Sequence, residues 1–171
     1  GMTPTESFIR RLESLGTEEL FLLRASAGKR PDESIAAFDC FTSIWWPLRA
    51  KSPAAPRREV AWLITKLYAS YSIPNIRDKF FPQQLGRVLF ETGFNDRDRF
   101  CRELDNLLLS PLAKIEHPLR WAMSHICKAV SGLDWVALTD ELSIWEKEEV
   151  RDRWRIQILR GVNRYKGVGP C

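Results

Sequence analysis

The spacing of apolar residues constrains this chain more than anything else in it. Val60, Leu63, Ile64, Leu67, Tyr68 and Tyr71 fall at i, i+3, i+4, i+7, i+8 and i+11, one face of an α-helix. The same period recurs almost everywhere, and no segment alternates in twos as a half-buried strand would. Stripes of this kind must be buried against one another, so the expected fold is all-α.

Start and stop signals divide the chain into eight or nine helices. Thr3-Pro4-Thr5-Glu6 reads as a capping box with proline at the first helical position, followed by Phe8, Leu12 and Leu15 on one face. Thr17 is placed to cap a second helix that Gly28 closes. A third starts near Asp32 with Ile35, Phe38, Phe41 and Trp45 inward, and Pro47 is expected to stop it. Residues 48–56 and 72–82, rich in proline and small residues, read as loops on either side of helix four. A short helix is expected over Gln84–Thr92, ending at Gly93, and Asn95 is placed to cap the next, with Phe100, Leu104, Leu107 and Leu108 inward. Pro118 opens a helix that Gly132 ends, Asp134 caps one carrying Trp135, Leu138, Leu142 and Trp145, and Glu148-Glu149 begin the last. The sum is a compact bundle, or two small helical lobes sharing a core, forming one all-helical domain over residues 2–161. Residues 162–171, past Gly161, are expected to form a flexible tail. A chain of 171 residues suits one domain of this size.

Several function classes find little support. The longest uncharged apolar runs are too short to cross a bilayer. The N-terminus lacks signal-peptide character, so a cytoplasmic location and reduced thiols at Cys40, Cys101, Cys127 and Cys171 are expected. His125 and Cys127 point apart on a helix, and His117 is the only other histidine, so no metal ligand set assembles. Neither histidine sits beside a convincing nucleophile, and no glycine-rich phosphate loop bridges a strand to a helix. No catalytic residue and no cofactor are expected.

Charge is more suggestive. The chain has 26 bases against 22 acids, and the whole excess lies in residues 1–87, with 13 bases and 9 acids. Arg24 ends an apolar run and is followed by Ala25-Ser26-Ala27-Gly28, which leaves its guanidinium room to reach outward or back to its own last-turn carbonyls. Arg87 follows Gly86, where a partner or a neighbouring helix can approach closely. Arg57 and Arg58 open helix four, where the dipole disfavours positive charge, a hint of an external anion. Trp45, Trp135, Trp145 and Trp154 fall on apolar faces and are expected in the core, whereas Trp62 and Trp121 fall off the stripes and suit an interface with another subunit.

These positions carry a likeness. Phe8, Arg11 and Leu12 are followed in fixed order by Arg24-Ala25-Ser26, Pro56-Arg57, and Lys79 ahead of Leu85-Gly86-Arg87. Arg99-Phe100 and Leu133-Asp134-Trp135 with Trp145 complete the set. The ordered set resembles CasB, the small subunit of the type I-E CRISPR complex Cascade, over nearly all of residues 8–160. The resemblance implies an all-helical subunit without enzymatic activity, present as two copies. It would pack against crRNA-coated backbone subunits and the large subunit, and hold crRNA, target strand and displaced DNA strand by their backbones. Carried over, the binding residues are Arg24, Arg57, Lys79, Arg87 and Arg99, with Lys29, Arg30, Arg58 and Arg120 beside them, expected on one continuous basic face. The chain departs from the pattern at Leu23 and Trp121, where basic residues are common, and at Glu148-Glu149. The alternative is a helical protein–protein interaction module whose arginines only cap helices and pair with acids.

Overall fold

A computed structural model describes residues 1–91 and 97–166, which form nine α-helices and no strand. These are α1 (Pro4–Glu13), α2 (Thr17–Arg24), α3 (Ile35–Arg49), α4 (Arg58–Tyr71), α5 (Phe81–Glu91), α6 (Arg97–Leu109), α7 (Glu116–Ile126), α8 (Trp135–Ser143) and α9 (Glu148–Lys166). Single 3-10 turns at Pro31–Glu33 and Leu112–Lys114 join α2 to α3 and α6 to α7.

The centre of the bundle is α4. Val60, Leu63, Ile64 and Leu67 are buried as their spacing demands, but so are Ala61, Trp62, Thr65 and Lys66 on the other sides. The reason is position: α2, α3, α7 and α8 all pack on α4, leaving it no solvent face along most of its length. Trp62 is therefore a core residue and not the intersubunit contact expected of it. The indole edge-packs on Phe41, which in turn stacks on Trp45. The second focus is the α5–α9 pair, with α6 and α7 alongside, and one contiguous apolar cluster runs through both.

That pair is joined backbone to backbone. A Cβ on Gly86 would stand 2.1 Å from the carbonyl oxygen of Ile158, and one on Gly161 would stand 2.5 Å from that of Gln83. The close approach permitted by Gly86 is thus taken by α9, and α9 runs on through Gly161.

Several boundaries differ from expectation. Gly16, not Thr17, caps α2, its N–H donating to the Glu19 carboxylate at 3.1 Å. Ser34 caps α3, so Ile35 is only its first residue and stands 89 % exposed. Pro47 lies inside α3, where the last turn forgoes one hydrogen bond and the helix continues to Arg49. Pro82 and Pro118 occupy first turns, where no N–H is needed, so α5 and α7 begin at Phe81 and Glu116. The expected helix end at Gly93, the Asn95 cap, and the last residues of the expected tail lie outside the described residues.

Candidate nucleic-acid interface

The end of α2 and the turn that follows it carry three of the candidate cations, Arg24, Lys29 and Arg30, all exposed. It is held from beneath by buried ion pairs. Gly28 takes φ +73°, which turns its N–H onto Glu116 Oε2 at 2.8 Å. Lys66 of α4, its side chain 4 % exposed, places Nζ 2.6 Å from Glu116 Oε1 and donates to the Lys29 carbonyl at 2.8 Å. Trp62 Nε1 donates to the same carbonyl. Arg120 of α7 completes the group, with Nε 2.9 Å from Glu116 Oε2 and Nη1 donating to Ser70 Oγ.

Burial works against the charges of Glu116 and Lys66. It pushes the Glu116 carboxyl up, but hydrogen bonds from Lys66, the Gly28 N–H and Arg120 outweigh it and hold Glu116 below its ordinary range. Burial likewise pulls the Lys66 ammonium below its ordinary value, against the pull of Glu116. Arg120 is thus bound into the interior and acts on the turn by fixing Glu116. Arg24 is not turned back onto its own helix; its Nε donates to the Ala69 carbonyl of α4 at 3.1 Å. The Arg30 guanidinium pairs with the exposed Asp32 at 3.5 Å, a pairing of little strength, and the Arg30 N–H donates to the Glu33 carboxylate.

The Leu133-Asp134-Trp135 motif fastens the loop that carries Lys79. Leu133 exchanges backbone bonds with Pro74 and Ile76, an isolated parallel bridge. Asp134 caps α8 through the Ala137 N–H and with its other oxygen receives the N–H of Asp78, which sits at φ +67°. The Asp134 N–H donates to the Lys79 carbonyl at 2.8 Å, and Trp135 Nε1 to that of Ile73 at 2.7 Å. Lys79 and its neighbour Arg77 stand exposed on this fastened loop. Arg77 also lines a cleft of about 510 Å³ between α1 and α8, with Arg10, Glu6, Glu13 and Asp140.

Arg57 and Arg58 lie at the other end of α4, about 18 Å from Ala69 at 1.5 Å per residue. Arg57 Nη2 stands 2.7 Å from Glu146 Oε1, and Nη1 donates to the Ser143 carbonyl at 2.6 Å. The charge at this helix start is therefore answered from within the chain, and no external anion is required by it. Arg58 beside it is exposed. Arg87 on α5 is half-buried, Nη2 donating to Gln84, and Arg99 on α6 is exposed near His125. The structure thus gathers Arg24, Lys29, Arg30 and Arg120 around one end of α4, sets Arg57 and Arg58 at its other end, and places Lys79, Arg87 and Arg99 on other elements.

Sequence reasoning missed Lys66 and Glu116, although a lone lysine between Ile64 and Leu67 was a visible signal. It also took Cys101 for a reduced thiol; Cys101 is disulfide-bonded, while Cys40 and Cys127 are free and half-buried. Sequence spacing carries no information on which sulfurs meet. Trp45, Trp135, Trp145 and Trp154 are in the core as expected, Trp121 is half-buried, and Trp46 is exposed, at 54 %. Among the described residues no group of three metal-binding side chains assembles, and no helix is long and apolar enough to cross a membrane.

The class these features define is an all-helical bundle whose exposed cations ride on turns anchored by buried polar contacts. The chain belongs to the family of CRISPR-associated protein Cse2, whose model matches residues 20–158, a span that holds all nine candidate cations. Its fold is similar to that of CasB from M. ruber, with a TM-score of 0.75 and 16 % identity over 97 % of this chain and 98 % of that one. It is similar too to a Cse2-family CRISPR-associated protein from Thermus thermophilus, with a TM-score of 0.71 and 21 % identity over 95 % and 99 %. A structure of CasB from Thermus thermophilus gives 0.70 at the same identity and coverage. No curated protein matches the chain significantly.

Proposed function

We propose that this chain is a non-enzymatic subunit of the CRISPR interference complex Cascade, in the cytoplasm, and that it holds nucleic acid by its backbone. Its partners are the crRNA, the target and displaced DNA strands, the backbone and large subunits, and a second copy of itself. Membership of the Cse2 family supports the assignment to a CRISPR system. The observation that carries the nucleic-acid reading is the α2–α3 turn, where Arg24, Lys29 and Arg30 stand exposed above the Lys66–Glu116–Arg120 ion pairs. Cations on a fixed turn meet phosphates with less ordering cost than cations on a mobile one. In RNA-guided recognition base pairing reads the sequence in a nearly balanced strand exchange, so added backbone contacts suffice to tip it. Lys79, Arg58, Arg87 and Arg99 extend the contact surface, while Arg57 and Arg120 serve by positioning.

The test is reconstitution with candidate backbone subunits and guide RNA. The chain should co-purify with them, and Arg24→Ala should weaken the R-loop on every target sequence alike. A variant that changed sequence preference and left the salt dependence intact would count against the reading. A protein-interaction module without nucleic-acid contact is favoured by one observation, the exposed Ile35 and Trp46 on α3. Crosslinks from these residues to protein, with none from the basic turn to nucleic acid, would decide for it.

A further inference from the structure

Three aromatic rings meet at the surface where α6 packs on α7. Trp121 and His125, one turn apart on α7, have ring centres 5.0 Å apart, and Phe100 of α6 stands 5.9 Å from the first and 5.5 Å from the second. The rings are inclined at 53° to 66°, so they form a corner and not a closed stack. Trp121 and Phe100 are half-buried and His125 is exposed. The aromatic group at the α5–α9 joint is sealed by contrast: Trp154, with Phe81 and Trp145 packed on it, has no ring surface left in water. A helix crossing needs only aliphatic filling, whereas this one keeps polarisable ring surface at the solvent boundary.

Cations border the corner. Arg99 precedes Phe100 and is exposed, Arg102 lies one turn on, and Lys128 stands exposed in the turn just past the end of α7. The acids nearby on α6 are Asp98, Glu103 and Asp105. Burial first, and Arg99 second, hold the His125 imidazole below its ordinary value, so the ring is neutral at pH 7. We infer that this corner is a stacking site for a base of single-stranded nucleic acid, laid against Trp121 and His125, with its flanking phosphates toward Arg99 and Lys128. The inference rests on the proposed function and deepens it, since phosphate contacts alone leave the bases untouched. Every base has a π-face, so the site would hold any sequence.

The test compares oligodeoxythymidylate with an abasic oligomer of equal length, binding to the full chain at low salt. The thymine-bearing strand is expected to bind on the order of tenfold more tightly. Trp121→Leu and His125→Leu should erase that preference and leave the salt dependence unchanged; His125 is exposed, so its variant keeps the fold if Trp121→Leu does not. A strand carrying 5-iododeoxyuridine should crosslink on irradiation to Trp121 or His125. Equal, salt-dependent binding of both oligomers would overturn the stacking site and leave the backbone reading standing. Failure of either oligomer to bind at any salt would overturn both.

Discussion

Lys66 Nζ and Glu116 Oε1 stand 2.6 Å apart in the interior, and between them they fix the turn that displays Arg24, Lys29 and Arg30. The two are not equivalent. Glu116 is held by Lys66, Arg120 and the Gly28 N–H together, so removing Lys66 leaves the carboxylate two donors. Removing Glu116 takes the carboxylate partner from the buried Lys66 and the half-buried Arg120 at once. Glu116→Ala should therefore lose about 3–5 kcal/mol of stability, and Lys66→Met clearly less, measured by urea unfolding.

The same pair makes stability depend on acid in a stated direction. Glu116 titrates below its ordinary value in the folded chain, so its contribution is full above the unfolded pKa and is lost as pH falls through the folded one. Asp140 and Glu141 are raised, chiefly by burial, and act oppositely: the penalty on their charged forms is relieved as pH falls. The stability gap between the native chain and Glu116→Gln should thus be widest near neutrality and close as pH falls through the lowered pKa of Glu116 in the folded chain. A gap independent of pH would remove Glu116 from its assigned role.

Gly86 and Gly28 separate packing from backbone conformation. At Gly86 the obstacle to a side chain is the Ile158 carbonyl, a backbone atom that cannot swing aside. At Gly28 nothing lies within 4 Å and only the positive φ resists. Gly86→Ala should cost about 3 kcal/mol or more, and Gly28→Ala about 1–2 kcal/mol, in paired denaturant titrations.

What could be read beforehand follows from the range of each interaction. The Val60 to Tyr71 spacing and the Asp134 cap are local, set within a few residues, and α4 and α8 form where they indicate. Ile35 misled because a helix face is counted from the cap, and Ser34 moved the start. The burial of Trp62, the closure of Arg57 on Glu146 and the joining of Lys66 to Glu116 depend on which helices meet, across separations of 50 residues or more for the ion pairs. No single-chain periodicity encodes that. The engagement of Arg57 and Arg120 by partners within the chain was hidden for the same reason.

Asp134 uses both carboxylate oxygens on backbone N–H groups, one on its own helix and one on the loop before it. Asp134→Ala should cost about 1–3 kcal/mol, the range for a lost cap and a stranded buried donor. Hydrogen exchange should quicken at the loop amides around Asp78 and Lys79 as well as in the first turn of α8. Faster exchange confined to α8 would show that the loop is held by the Leu133 bridge alone.

The exposed and the interior arginines should part company in a salt titration. Each phosphate contact releases condensed counterions, so its loss lowers the slope of log affinity on log salt by about 0.7–1. Removing Arg24, Lys29 and Arg30 together should lower the slope for single-stranded nucleic acid by about 2–3 and cost little stability beyond the one Arg24 bond to the Ala69 carbonyl, about 1 kcal/mol. Arg57→Ala and Arg120→Ala should do the reverse. Arg57 bridges the start of α4 to Ser143 and Glu146, and Arg120 supports Glu116, so stability falls while the slope stays. Should Arg57→Ala lower the slope by a full unit at unchanged stability, its clasp on Glu146 would have to open on binding, and the contact surface would extend to the far end of α4.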